Sequence, residues 1–349
     1  MAVFWPSLTR RFVIRAGLSS LVVAGLVVVA VNLSAQLDGV DDAIGRTSVP
    51  WLVAALAAEV ICYAALGSMV GRLLGREQVA ERLVAMRLGL VIYGLGSVLP
   101  GSPAPGLVMA GSELKARGMA LTRLGPALFW CTWFNIRGFL VLAALTGTMV
   151  TLRGRAPEGS SGIVLGAVAF TLAGLALTTA LVTNPRAGER AGALLARLNW
   201  RGAGDTAAAA TARMYEQAIE IVGGRRNQVV VGAIALLAWI ADAFCLRFAM
   251  ISVGVHVGMG YILIAYVATA IVALAPILPG GLGLVEATVP GVLHHYGVPL
   301  DAAIAGTLLW RAISLVLPAI AGGLALATLR ARPGRRLIPV AATESPAEQ

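Results

Sequence analysis

Ala275-Pro-Ile-Leu-Pro-Gly-Gly-Leu-Gly-Leu-Val-Glu286 sets two prolines, three glycines and an acid inside one long apolar run. Lipid offers a broken backbone no hydrogen-bond partner, so a break of this kind in a membrane must be enclosed by protein or by a water-filled cavity. Interrupted helices at mid-membrane mark the substrate sites of many secondary transporters. That the run lies in a membrane follows from composition. Of 349 residues, 58% are hydrophobic and 13% charged, and the mean hydropathy is +0.84, outside the range of soluble domains.

Working outward, long apolar runs occupy residues 16–37, 48–71, 88–112, 124–152, 160–184, 227–251, 257–296 and 302–329. Two of the eight are interrupted. The third carries Pro100, Gly101, Pro103, Pro105 and Gly106; the seventh carries Pro276, Pro279, Gly280, Gly281 and Gly283. An arm such as 88–99 is about 18 Å long as a helix, too short to cross ~30 Å of hydrocarbon.

Charge chooses between layouts. If both interrupted segments return to the side from which they enter, the pieces 1–15, 72–87, 113–123, 186–226 and 330–349 face the cytoplasm. They hold 21 of the 27 Lys and Arg, against three outside and three (Arg137, Arg247, Arg311) in the membrane. If both segments crossed fully, the split would be 13 to 11, without the cytoplasmic bias that orients membrane proteins. The expected fold is therefore an all-α polytopic integral membrane protein with six spanning helices and two oppositely entering re-entrant hairpins. The order span, span, hairpin, span occurs twice with opposite orientation, an inverted repeat: residues 1–155, then 156–340 with the cytoplasmic linker 186–226, then a disordered tail 341–349. Both termini face the cytoplasm.

The net charge of +10 does not point to nucleic acid, because the arginines lie in short clusters between apolar runs. Arg10, Arg11 and Arg15 before Ala16–Leu37 resemble a signal peptide, but the run is long enough to span and Leu33 is too bulky for the cleavage pattern, so a retained first helix is expected. Within the linker, Asp205–Val222 reads as an interfacial helix. Cys62, Cys131 and Cys245 fall in apolar segments and read as small core residues. No metal or cofactor is expected, and no soluble domain fits anywhere.

Glu59, Arg137, Asp242, Arg247, Glu286 and Arg311 lie well within apolar segments, where each charge costs at least ~2.5 kcal/mol on insertion scales and calls for a partner or a polar cavity. Their placement follows the repeat. Glu59 and Asp242 sit in the span before each hairpin, Arg137 and Arg311 in the span after it. One reading makes the two arginines anion sites, since a guanidinium grips phosphate in two-pronged fashion and keeps its charge when poorly hydrated. The other pairs them with Glu59, Asp242 or Glu286 as structural salt bridges. Arg247 reads as snorkelling to the outer surface. Glu286, just after the glycine turn, is placed to cap a helix, to bind a cationic head group or to carry a proton. His256, His294 and His295 read as interfacial.

Pro279-Gly-Gly-Leu-Gly-Leu-Val-Glu286, the stretch Leu293–Gly297 and then Ala302–Arg311 resemble the signature of the lysylphosphatidylglycerol synthase transmembrane family, over nearly the whole chain. Leu99–Gly106 with Arg137 resembles the first-half counterpart, whose nearest acid here is Glu113. The resemblance implies translocation of a phospholipid or aminoacylated lipid by a stand-alone membrane domain lacking the soluble synthase. The chain has no P-loop or hydrolase motif to power or catalyse a reaction. The expected function is a lipid flippase with Arg137, Arg311, Glu286, Glu59 and Asp242 at the head group and no catalytic residue. Membrane lipids are the expected partners, together with a lipid-synthesising enzyme. Two alternatives stand beside it: a transferase acting on a polyprenyl-phosphate or lipid-linked sugar, for which Glu113, Lys115 and Arg117 form the only suitable cluster, and a non-transporting scaffold of envelope assembly.

Overall fold

The computed structural model describes residues 45, 47–74, 79–99, 104–117, 119, 121–152, 168–169, 171–176, 224–273, 281 and 283–331. The first apolar run, most of the fifth, the helix expected at 205–222, the tail beyond 331 and the break residues Pro100, Gly101, Pro103, Pro276, Pro279 and Gly280 lie outside them. Every regular element among the described residues is helical. They are α1 (Val49–Leu73), α2 (Val79–Gly89), α3 (Ala104–Ala116), α4 (Leu121–Leu152), α5 (Arg225–Ser252), α6 (Met259–Ala273), α7 (Leu284–His295) and α8 (Leu300–Ala331).

Four of these stretches, Val49–Leu73, Gly125–Leu152, Arg225–Ser252 and Leu300–Ala331, are long and apolar enough to cross a membrane. α1 and α5 form the central pair. They run antiparallel, since the Ser48 N–H at the start of α1 donates to the Ser252 carbonyl at the end of α5 at 2.8 Å. Their buried positions are mostly small: Ala55, Ala58, Cys62 and Ala65 on one, Ala235, Ala238, Ala241 and Cys245 on the other. Small side chains are what let helix backbones approach in lipid, where no hydrophobic force drives them together.

Each interrupted segment folds back on itself. α2 runs on through a π turn at Leu90–Leu95 and a 3-10 turn at Gly96–Val98 before the break. Beyond it α3 lies against that end, because a Cβ on Gly96 would stand 3.0 Å from the Gly106 Cα. Pro105 and Gly106 belong to the first turn of α3 and not to the break itself; a proline there forfeits no helical hydrogen bond. In the second segment Tyr261, near the start of α6, lies 4.5 Å ring to ring from Tyr296, just past the end of α7, which makes that pair antiparallel. α2 follows the Leu73 end of α1, and α6 follows the Ser252 end of α5. The two helical hairpins therefore leave from opposite ends of the central pair.

Two hydrophobic cores result. One gathers Leu66, Met69, Ile92, Ala110, Trp130, Phe134 and Leu326 around the first hairpin; the other gathers Leu246, Ile262, Tyr266, Val289, Leu293 and Trp310 around the second. α1 and α5 contribute to both.

Candidate polar site inside the helical bundle

The second hairpin supplies the site's first acid. Gly281 and Gly283 have φ of +65° and +83°, a left-handed backbone that glycine adopts without steric cost. The turn they make starts α7 and aims Gly283's N–H at Glu286, whose Oε2 accepts it at 2.6 Å. An acid on the first turn also meets the positive end of the helix dipole. The other oxygen, Oε1, accepts Arg311 Nε at 2.8 Å, and the two side chains are 23% and 13% exposed, so the ion pair is partly open. Arg311 thus takes up the structural partner that an intramembrane charge requires.

Arg311 ends the regular first part of α8, immediately before a π turn at Ala312–Val316. Such turns widen a helix by a residue and often occur at functional sites. One residue earlier, Trp310 reaches the other way: its Nε1 donates to Asp242 Oδ1 at 2.9 Å, while the Tyr266 hydroxyl donates to Oδ2 at 2.8 Å. The Arg311 guanidinium lies 6.0 Å from the Trp310 ring centroid.

Glu59 completes the set. It is 4% exposed, and a carboxylate oxygen of Glu59, one of Asp242 and the Cys245 sulfur all fall within 4.8 Å of one another. These three donors are one short of the four that a closed structural zinc site takes. Both Asp242 oxygens also already accept hydrogen bonds, and the arrangement is an acid pair with a thiol beside it. Glu59 of α1 and Asp242 of α5 are therefore face to face across the central helix pair.

Four of the five residues singled out in the sequence belong to one connected region: Glu59, Asp242, Glu286 and Arg311. Arg137 does not join it by hydrogen bond or ion pair. It lies half-buried on α4, two residues after Asn135, whose carbonyl accepts Trp239 Nε1 at 2.8 Å. Sequence reasoning passes over Trp310 and Tyr266, although an Asp in an apolar helix demands donors, and an indole and a phenol are the aromatic side chains that supply them. Glu113 sits elsewhere. It accepts Arg330 Nε at 3.0 Å while Arg117 donates to the Leu329 carbonyl at 3.0 Å, a joint between the ends of α3 and α8. His294 engages the Val298 carbonyl at 3.0 Å, and His295 stands edge-on to Tyr296.

Residues 17–322, which include every member of this region, match the family described as the lysylphosphatidylglycerol synthase TM region. The chain belongs to that family. Among curated proteins, it is similar to the UPF0104 membrane protein PH1989 of Pyrococcus horikoshii, 29% identical over 90 residues. That match covers 26% of this chain and 27% of the archaeal protein, so it spans only about a quarter of the relative's length. Membership in the lysylphosphatidylglycerol synthase TM-region family makes the chain a multi-pass membrane protein of a lipid-associated class.

Proposed function

We propose that the protein moves a phospholipid-type or aminoacylated lipid head group across the cytoplasmic membrane. The observation that carries this reading is the Arg311–Glu286 pair, partly open, at the broken end of the second hairpin. Between substrates the two charges satisfy each other. A head group offering a phosphate to Arg311 and an ammonium to Glu286 exchanges one ion pair for two, so the site binds without leaving a buried charge alone. Acyl chains stay in the bilayer, beside exposed apolar residues such as Val53 and Val60.

In this reading both hairpins are re-entrant and the two halves form an inverted repeat with both termini in the cytoplasm. Support comes from the departure of the hairpins from opposite ends of the central pair and from the charge bias of the sequence. The arms are also short: α6 and α7 have 15 and 12 residues, about 22 and 18 Å. Arg137 supplies a second phosphate contact on the side of the first hairpin. A lipid-synthesising enzyme is the partner that would deliver the head group.

Reconstitution in liposomes holding fluorescent phosphatidylglycerol or its lysyl derivative, with the outer label quenched chemically, tests the reading. Protein-dependent leaflet exchange is expected, falling at least tenfold in Arg311→Ala. No exchange of either lipid rejects the function, and full exchange in an Arg137→Ala, Arg311→Ala double variant rejects the site.

A further inference from the structure

We propose that Glu59 is a proton-binding site: in this conformation it holds a proton opposite an ionised Asp242, and that proton is the one exchanged when the Arg311–Glu286 pair opens. The inference rests on the transport reading for its purpose but on geometry for its existence. Glu59 is almost wholly buried, 4% exposed, and its Oε2 has no hydrogen-bond partner. An ionised carboxylate cannot be left so, since burying an unpaired charge is among the most costly things a structure can do. A protonated one can.

The surroundings assign the charge. Half-buried Asp242 receives an O–H from Tyr266 and an N–H from Trp310, one on each oxygen, and such donors favour the ionised carboxylate. Glu59 receives no such donor at Oε2 and faces Asp242, with an oxygen of each carboxyl within 4.8 Å of the other, so a charge on one disfavours a charge on the other. Among the described residues, the other titratable side chains acting on the pair are Cys62 and Tyr63 on α1, Cys245 on α5, Tyr266 on α6 and Arg311 on α8. Arg137 of α4 is not in this set.

The link to the open ion pair is covalent. Trp310 holds Asp242 and its neighbour Arg311 holds Glu286, so a shift of α8 that frees Arg311 for a phosphate also draws the indole from Asp242. Asp242 then keeps only the Tyr266 hydroxyl, and the shift of α8 opens the acid pair to water. The Glu59 proton leaves to that water and is regained from it when α8 returns, so no other reactant is needed.

Infrared difference spectroscopy of the full chain in nanodiscs decides the matter. The carbonyl stretch of a protonated carboxylic acid is expected at neutral pH, shifted in deuterium oxide and absent in Glu59→Gln. Glutamine copies the neutral acid, so that variant is expected to keep the wild-type unfolding midpoint and to lose any acceleration of lipid exchange by a pH gradient. Absence of the acid band in the wild-type protein overturns the proposal. So does a stoichiometric bound metal that Glu59→Gln abolishes. The acid band and the metal content are read whether or not any lipid moves, so their failure is distinguishable from failure of the transport reading.

Discussion

The two hairpins solve the same problem, a broken helix inside a membrane protein, with different materials. The first is sealed by backbone against backbone. A Cβ on Gly106 would strike the Ile92 carbonyl, one on Gly94 would strike the Pro318 carbonyl, and one on Gly322 would stand 2.5 Å from the Leu90 carbonyl. The second has open space at Gly283 and Gly291 and is closed by polar groups: a capped turn and the Glu286–Arg311 pair. Close-packed backbone has little room to rearrange, whereas an ion pair exchanges partners. In the proposed function the first hairpin is then the fixed wall and the second the working one.

The strongest challenge to that division is removal of Arg311. Arg311→Ala leaves the Glu286 carboxylate in the bundle with only its cap. We expect a loss of about 3 kcal/mol in reversible unfolding in mixed micelles, the low end for a buried pair because this one is partly open. The Glu286→Ala, Arg311→Ala double variant should recover more than half of it. Additive losses would show that the two residues do not act as a pair.

The next effect belongs to the first wall and has a control built into the chain. Gly322→Ala pushes a methyl into the Leu90 carbonyl and the Leu95 amide, an overpacking that costs roughly 1–3 kcal/mol. Gly323→Ala, one residue on, meets nothing within 4 Å and is expected to be neutral or stabilising by up to about 1 kcal/mol, the usual helical preference for alanine. Thermal unfolding of the two variants side by side measures the difference directly. Equal midpoints would mean the first hairpin is not held by backbone approach.

How much of this was readable in the chain differs between the levels of structure. The spans at 49–73, 225–252 and 300–331 were legible because some twenty apolar residues have few other fates, and both breaks because proline and glycine clusters cannot continue a helix. That Glu286 caps its helix was legible too, as one of three roles left open. The meeting of Glu59 with Asp242 was not. Pairing by repeat position named both acids, but only the antiparallel packing of α1 on α5 puts them face to face. The π turn at 312–316 was also hidden, although Pro318, which lacks the N–H to continue the ladder behind it, is a local cause. Trp310 and Tyr266 read as ordinary membrane aromatics until the acid they serve is located.

The smallest predicted effect tests whether every intramembrane-edge charge pair counts alike. Arg330–Glu113 has nearly the same length as Arg311–Glu286, 3.0 against 2.8 Å, yet the Arg330 side chain is 56% exposed. Water and lipid head groups compete for such an arginine, and exposed pairs contribute about 0.2–1 kcal/mol. Glu113→Gln should therefore cost under about 1 kcal/mol, keep lipid exchange within twofold of wild type, and leave the Arg117 bond to the Leu329 carbonyl as the remaining tie between α3 and α8. A loss of stability equal to that of Arg311→Ala would place a critical charge beside the first hairpin as well. The contrast between a wall built of backbone and a wall built of charge would then fail.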